Sequence, residues 1–191
     1  MMGRIFTCSA LSSFDTDIPC PRCGDGSQTR THGVFSSCLD CFLSGGELYL
    51  YQYGVSYAVF IAQARGGTCT LASSDPTEEV LHRAFYLLEN GFGDYHVSKN
   101  NCEDFAIYCK TGLRVTAEDS SVGGSGQAAS IVAGAKTTFW SALPYLVSSS
   151  IGMTVNCGTY FLRRLSSDIG YRSGVTKVPV EKLFEMAKAE N

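Results

Sequence analysis

A cysteine at the first position of a strongly signalled helix constrains this chain more than any other feature. In Asn100-Asn101-Cys102-Glu103-Asp104-Phe105-Ala106 the residue before the cysteine is an asparagine. Its side-chain oxygen accepts from otherwise unpaired backbone N–H groups and so starts a helix. Lys110 in the last turn and Gly112 just past it suit a C-terminus, which sets the helix from Cys102 to about Thr111. Phe105, Tyr108 and Cys109 share one face at spacings of three and four, so that face packs inward. A thiol at this place meets unpaired amides and the positive end of the helix dipole, and both favour its thiolate. Cys102 is therefore a candidate nucleophile, with a small buried hydrophobe as the alternative. Glu103 and Asp104 oppose thiolate formation, so a nucleophilic Cys102 calls for a cationic partner.

The cysteine inventory carries a second signal. Nine cysteines stand beside three histidines, and Cys20-x-x-Cys23 and Cys38-x-x-Cys41 are separated by 14 residues. Two such knuckles hold four sulfurs near tetrahedral positions for one structural zinc; the alternative is four reduced thiols that merely cluster. A formal charge of −3 and the absence of basic clusters exclude nucleic acid as the main partner. At 191 residues the chain holds one domain with appendages. Met1 to Phe14 has one Arg and no apolar run of the length a secretory signal needs, while its Ser and Thr content leaves an organelle transit peptide open.

The pattern divides the chain into an unstructured leader (1–19), a four-cysteine, zinc-knuckle-like segment (20–45), a core with the Cys102 helix (46–117) and a Ser/Gly linker (118–130). An apolar segment (131–165) and a C-terminal amphipathic helix and tail (166–191) follow. Within the core, Glu47 to Tyr53 alternates and predicts a strand, with Leu48 and Leu50 on one face and tyrosines on the other. Tyr57 to Gln63 fits a second strand or a short helix, and Thr68 to Leu71 and Tyr95 to Val97 fit short strands. Asp75-Pro76-Thr77-Glu78 predicts a helix start capped by Asp75, with Val80, Leu81, Ala84, Phe85, Leu87 and Leu88 on one face up to Asn90-Gly91. His82 falls on the opposite face near Glu78, Glu79 and Glu89 and is expected to be solvated. Thr137 to Leu162 carries no charge over 26 residues and is followed by Arg163-Arg164. A membrane-embedded tail and a pair of buried helices both fit that segment. Pro179 opens a last helix with Val180, Leu183, Phe184 and Ala187 on one face.

Asn-Cys-Glu-Asp-Phe-Ala at 101–106, with Asn-Gly-Phe-Gly-Asp-Tyr before it and Tyr-Cys-Lys-Thr-Gly-Leu after it, resembles the lecithin:retinol acyltransferase (LRAT) domain. Its plant branch is similar also in Ser37-Cys-Leu-Asp-Cys-Phe-Leu43 and Arg65-Gly-Gly-Thr-Cys-Thr70. The resemblance runs from about Val34 to Leu113 and resumes near Asp168 to Val180. It implies an α+β, permuted papain-like (NlpC/LRAT-type) domain with antiparallel strands, a Cys-bearing helix and an apolar helical C-terminal tail. It also implies a catalytic Cys102 that takes an acyl group from a membrane phospholipid as a thioester.

The same resemblance puts the catalytic base on an upstream strand reading roughly His-His-Gly-Ile-Tyr-Val-Gly, after an Asp-His-Ile-Tyr-type strand. Neither is present in Met1 to Cys20, and His32-Gly33-Val34-Phe35 is a superficial echo. The expectation is a domain without its first strands, with impaired activity. His32 and His96 are then the candidate bases, since a thiolate–imidazole pair needs hydrogen-bond reach. Two functions follow for test. One is a thiol acyltransferase or phospholipase at the cytoplasmic face of a membrane, with no cofactor for its catalysis. The other is a non-catalytic, membrane-tethered, zinc-stapled interaction protein.

Overall fold

The computed structural model describes residues 4–8, 33–43, 45–63, 67–96, 100–116, 123–124 and 150–189. Among these the architecture is α+β, with six helices and short antiparallel strand pairs. The order is β1 (Arg4–Cys8), β2 (Val34–Cys38), α1 (Leu39–Leu43), α2 (Tyr57–Ala62), α3 (Thr77–Asn90), α4 (Cys102–Thr111), β3 (Leu113–Val115), α5 (Ser150–Ser167), β4 (Val175–Lys177) and α6 (Val180–Ala189). β1 pairs with β2 and β3 with β4, both antiparallel.

The cysteine helix α4 is the centre of the packing. Phe105, Tyr108 and Cys109 turn one side of it into a cluster with Ala84 and Leu87 of α3, Val34 of β2, Phe92, and Val180 and Leu183 of α6. Ile107, on another side, packs with Ala72 and Ile169. The Tyr108 hydroxyl donates to the Val178 carbonyl at 2.8 Å, so the polar tip of a buried ring is satisfied by the strand edge it meets. Carbonyls of the last turn of α4, orphaned by helix geometry, find donors around them. Gly112 N–H donates to the Tyr108 carbonyl from a left-handed turn (φ 68°), Arg83 donates to that of Cys109 and Asp75 N–H to that of Lys110.

Several expectations are corrected. The leader is not structureless throughout, because Arg4–Cys8 forms β1 and Phe6 sets its ring edge-on against Phe85 of α3 at 5.0 Å. The Leu48–Leu50 stretch is not a strand: both leucines are exposed, and among the described residues the pairing nearby is a single bridge from Gln52 to Cys69. Thr68–Leu71 is reduced to the same bridge, and Tyr57–Gln63 resolves into helix α2, capped by Ser56. Asp75 does not cap α3, whose start has no side-chain cap; its carboxylate is drawn to Arg83 and Lys177 instead. His82 is exposed as expected, and pairs with Glu181 of α6 at 3.1 Å.

Arg164, which follows the uncharged segment, points into the fold. It is buried, its guanidinium stacked 4.2 Å over the Phe60 ring and bonded to the carbonyls of Phe60 and Gln63, which ties α5 to the end of α2. Among the described residues no helix is long and apolar enough to cross a membrane. Residues 131–149 of the predicted apolar segment lie outside the described set.

Candidate active site around Cys102

Local chemistry builds the start of α4. The Asn101 side-chain oxygen accepts from the amides of Glu103 and Asp104, each at 2.9 Å, and Asp104 Oδ2 accepts from Asn101 N–H at 3.2 Å. This reciprocal cap satisfies three N–H groups around the helix start and fixes the chain on both sides of Cys102. Cys102 itself is exposed.

The thiol does not behave as the helix end alone dictates. Loss of hydration raises its pKa above the ordinary cysteine value. The amides of Glu103 and of Cys102 itself pull it down, and the Glu103 and Asp104 carboxylates push it further up. The expected thiolate-favouring amides are therefore in place, but desolvation and two negative charges outweigh them. Cys102 rests as a neutral thiol at neutral pH. Cys109, one face round the same helix, is buried and pushed up to about 12 by that burial, which makes it inert.

Two features beside Cys102 lie beyond the sequence reading. The Tyr51 and Tyr53 rings meet tilted at 4.9 Å, and both hydroxyls are raised by burial and then by the charge of Glu103. On the approach to α4, Asn100 holds a left-handed backbone (φ 54°), its Oδ1 accepting from Arg114 Nη2 at 2.8 Å and its Nδ2 donating to the Asp94 carbonyl at 3.3 Å. Two consecutive asparagines were the available signal, since asparagine serves both as cap and as a residue that tolerates this conformation.

The other predicted site residues are described only in part. His96 is exposed, ahead of residues 97–99, which are outside the described set; His32, Cys20 and Cys23 also lie outside it. Cys38 ends β2 and Cys41 lies in the first turn of α1, both as reduced thiols. Among the described residues no group of three or more His, Cys, Asp or Glu is placed to hold a metal ion.

A capped helix carrying an exposed cysteine at its first position, backed by an aromatic core and short antiparallel strands, defines a class, and the chain belongs to the lecithin retinol acyltransferase (LRAT) family. The family's model matches residues 18–115, just over half of the chain. A curated relative is Protein LEAD-SENSITIVE 1 of Arabidopsis thaliana, to which the chain is 51% identical over 166 residues, 86% of its own length. The match spans 63% of that relative. No solved structure matches the chain.

Proposed function

We propose that the chain performs LRAT-type thiol chemistry on a permuted papain-like scaffold, with Cys102 accepting an acyl group from a phospholipid ester at the cytoplasmic face of a membrane. The observation that carries this reading is the exposed Cys102 at the first position of the capped helix α4. The sulfur gives up its proton to a base and attacks the ester carbonyl carbon. Backbone amides at the helix end suit the oxyanion that develops. Collapse of the tetrahedral adduct breaks the C–O bond, the lysolipid oxygen leaves with a proton, and the thioester passes its acyl group to water, an amine or an alcohol. The raised thiol makes the base decisive, and His96 and His32 are the imidazoles proposed for it.

A reactive acyl-ester probe tests this. Wild-type protein should acquire one hydroxylamine-sensitive acyl group at Cys102, and Cys102→Ala should acquire none there. With an imidazole partner the labelling rate levels off near neutral pH. Without one it climbs about tenfold per pH unit up to the raised thiol pKa, because the thiolate fraction does. Equal labelling of the alanine variant would remove Cys102 from the chemistry.

The second reading, a non-catalytic tethered interaction protein, is favoured by the sign of the charges acting on the sulfur, both of which are carboxylates. It predicts the climbing profile and no turnover. Either reading accommodates Cys20, Cys23, Cys38 and Cys41 as a structural zinc staple. Cys38 and Cys41 straddle the β2–α1 junction at knuckle spacing. Reduced, purified protein should then hold about one zinc per chain and lose thermal stability on chelation; metal-free protein with an unchanged melting curve would retire the staple.

A further inference from the structure

The backbone step into α4 is tied to β3 by a side-chain hydrogen bond. Asn100 has a positive φ, a conformation uncommon for L-residues that asparagine tolerates better than most. Arg114, which donates to the Asn100 side chain, is itself fixed from two sides. It belongs to β3, paired with β4 through Arg114 and Thr176, and its guanidinium lies 5.2 Å over the Phe92 ring. Phe92 in turn meets Phe105 of α4 edge-on at 5.5 Å. Strand, ring and loop thus converge on one asparagine, next to the residue that caps the cysteine helix.

We propose that Arg114 and Asn100 form a latch that sets the position, and thereby the reactivity, of the Cys102 thiol. Arg114 is a positioning residue: it acts through the Asn100 side chain on the turn that delivers Asn101 and Cys102 to the head of α4. The latch deepens the reading of Cys102 as an acyl acceptor and rests on it, since a thiol that takes an acyl group must be presented at a fixed angle to the helix amides. The charged groups acting on the sulfur are Glu103 and Asp104 of its own helix. With the Asp104 carboxylate held by the cap and Glu103 fixed there through its backbone N–H, loosening the latch changes hydration of the sulfur more than its electrostatics.

The test measures iodoacetamide alkylation of Cys102, read by peptide mass spectrometry because the chain has nine cysteines. Arg114→Met keeps an apolar stem on Phe92 and removes the donor; Asn100→Gly keeps the left-handed turn and removes the acceptor. Each should raise the Cys102 rate at pH 7.5 about threefold or more, as a better-hydrated sulfur ionises more readily. The double variant should fall well short of the product of the two single effects, because the Arg114–Asn100 bond is lost in both, whereas the Asp94 and Phe92 contacts are lost in one each.

Unchanged rates in the single variants, or effects that multiply in the double variant, overturn the latch. Asn100→Gly suits the native backbone and decides the matter even if Arg114→Met does not fold. Alkylation is independent of acyl transfer. A latch effect in a protein that the acyl probe leaves unlabelled would therefore sink the proposed function and leave the latch standing.

Discussion

Arg83→Met is expected to lower stability by about 2–4 kcal/mol, the cost of a lost charged hydrogen bond together with a buried carbonyl left without its donor. The Arg83 side chain is 8% exposed and answers three groups at once. Its Nη1 donates to the Cys109 carbonyl at 3.0 Å, and its Nη2 donates to Asp75 at 2.6 Å and to Glu79 at 2.9 Å. The first bond closes one of the last carbonyls of α4, so a residue of α3 caps the cysteine helix at its negative end. Methionine fills the stem volume but leaves that carbonyl without its donor and the part-buried Asp75 carboxylate with Lys177 as its remaining cationic partner. The half-exposed Glu79 contributes little to this sum.

A pH signature accompanies the loss. Burial pushes the Asp75 carboxyl up, but hydrogen bonds from Lys177 and Arg83 more than offset it, leaving its pKa lowered. A carboxyl depressed in the folded state stabilises the fold above its unfolded pKa of about 4, and that contribution fades as pH falls through the folded value. The acid limb of the stability curve should therefore be shallower in Arg83→Met than in wild type. Urea unfolding with an unchanged m-value measures both effects. A loss below about 1 kcal/mol would mean that the cap is idle.

The difference between Arg83 and Asn101 shows where sequence reading stops. The Asn101 cap, the extent of α4, its inward Phe105, Tyr108 and Cys109, and the closing Gly112 were all legible, because each depends on residues within one or two turns. Asp75 carried an equally good local signal as a cap and went elsewhere, because Arg83 and Lys177 offered it charge across the fold. β1 and β2 were missed for a related reason. Five residues of Arg4–Cys8 show no period, and their stability comes from a partner far along the chain and from Phe6 on Phe85.

The alternation of Glu47 to Tyr53 failed in the opposite direction. It is a good strand pattern with no ladder along Leu48–Leu50, and it is half-buried Tyr51 that packs against the Ala72, Ile107 and Ile169 cluster. In the site, the position of Cys102 was legible and its protonation was not. A helix end can be read from one sequence window, whereas desolvation of the sulfur depends on what the folded chain sets around it.

Gly170→Ala should disrupt the second side of the α4 packing, at a cost of about 3 kcal/mol or more, the upper end for overpacking. Glycine is needed there for space. A β-carbon on Gly170 would stand 2.3 Å from the Ala72 nitrogen and 2.7 Å from the Leu71 carbonyl carbon, both backbone atoms that no rotamer change can move aside. The turn after α5 lies directly on the Leu71–Ala72 backbone, and Asp168 Oδ1 clasps the two, accepting from Leu71 N–H at 3.2 Å and from Gly170 N–H at 2.9 Å. Forcing the two segments apart breaks the Asp168 bond to Leu71 and opens the contact of Ile169 and Ala72 with Ile107. Ile107 belongs to α4 and is 1% exposed, so the damage should reach the cysteine helix. Hydrogen exchange is the sharper measurement. In Gly170→Ala the Leu71 amide and the amides of α4 should lose protection together, while α3 amides, on the far cluster, lose less. Protection lost at Leu71 alone, with α4 unchanged and the unfolding midpoint within experimental scatter of wild type, would show that this turn is docked on the domain without supporting the helix that carries Cys102.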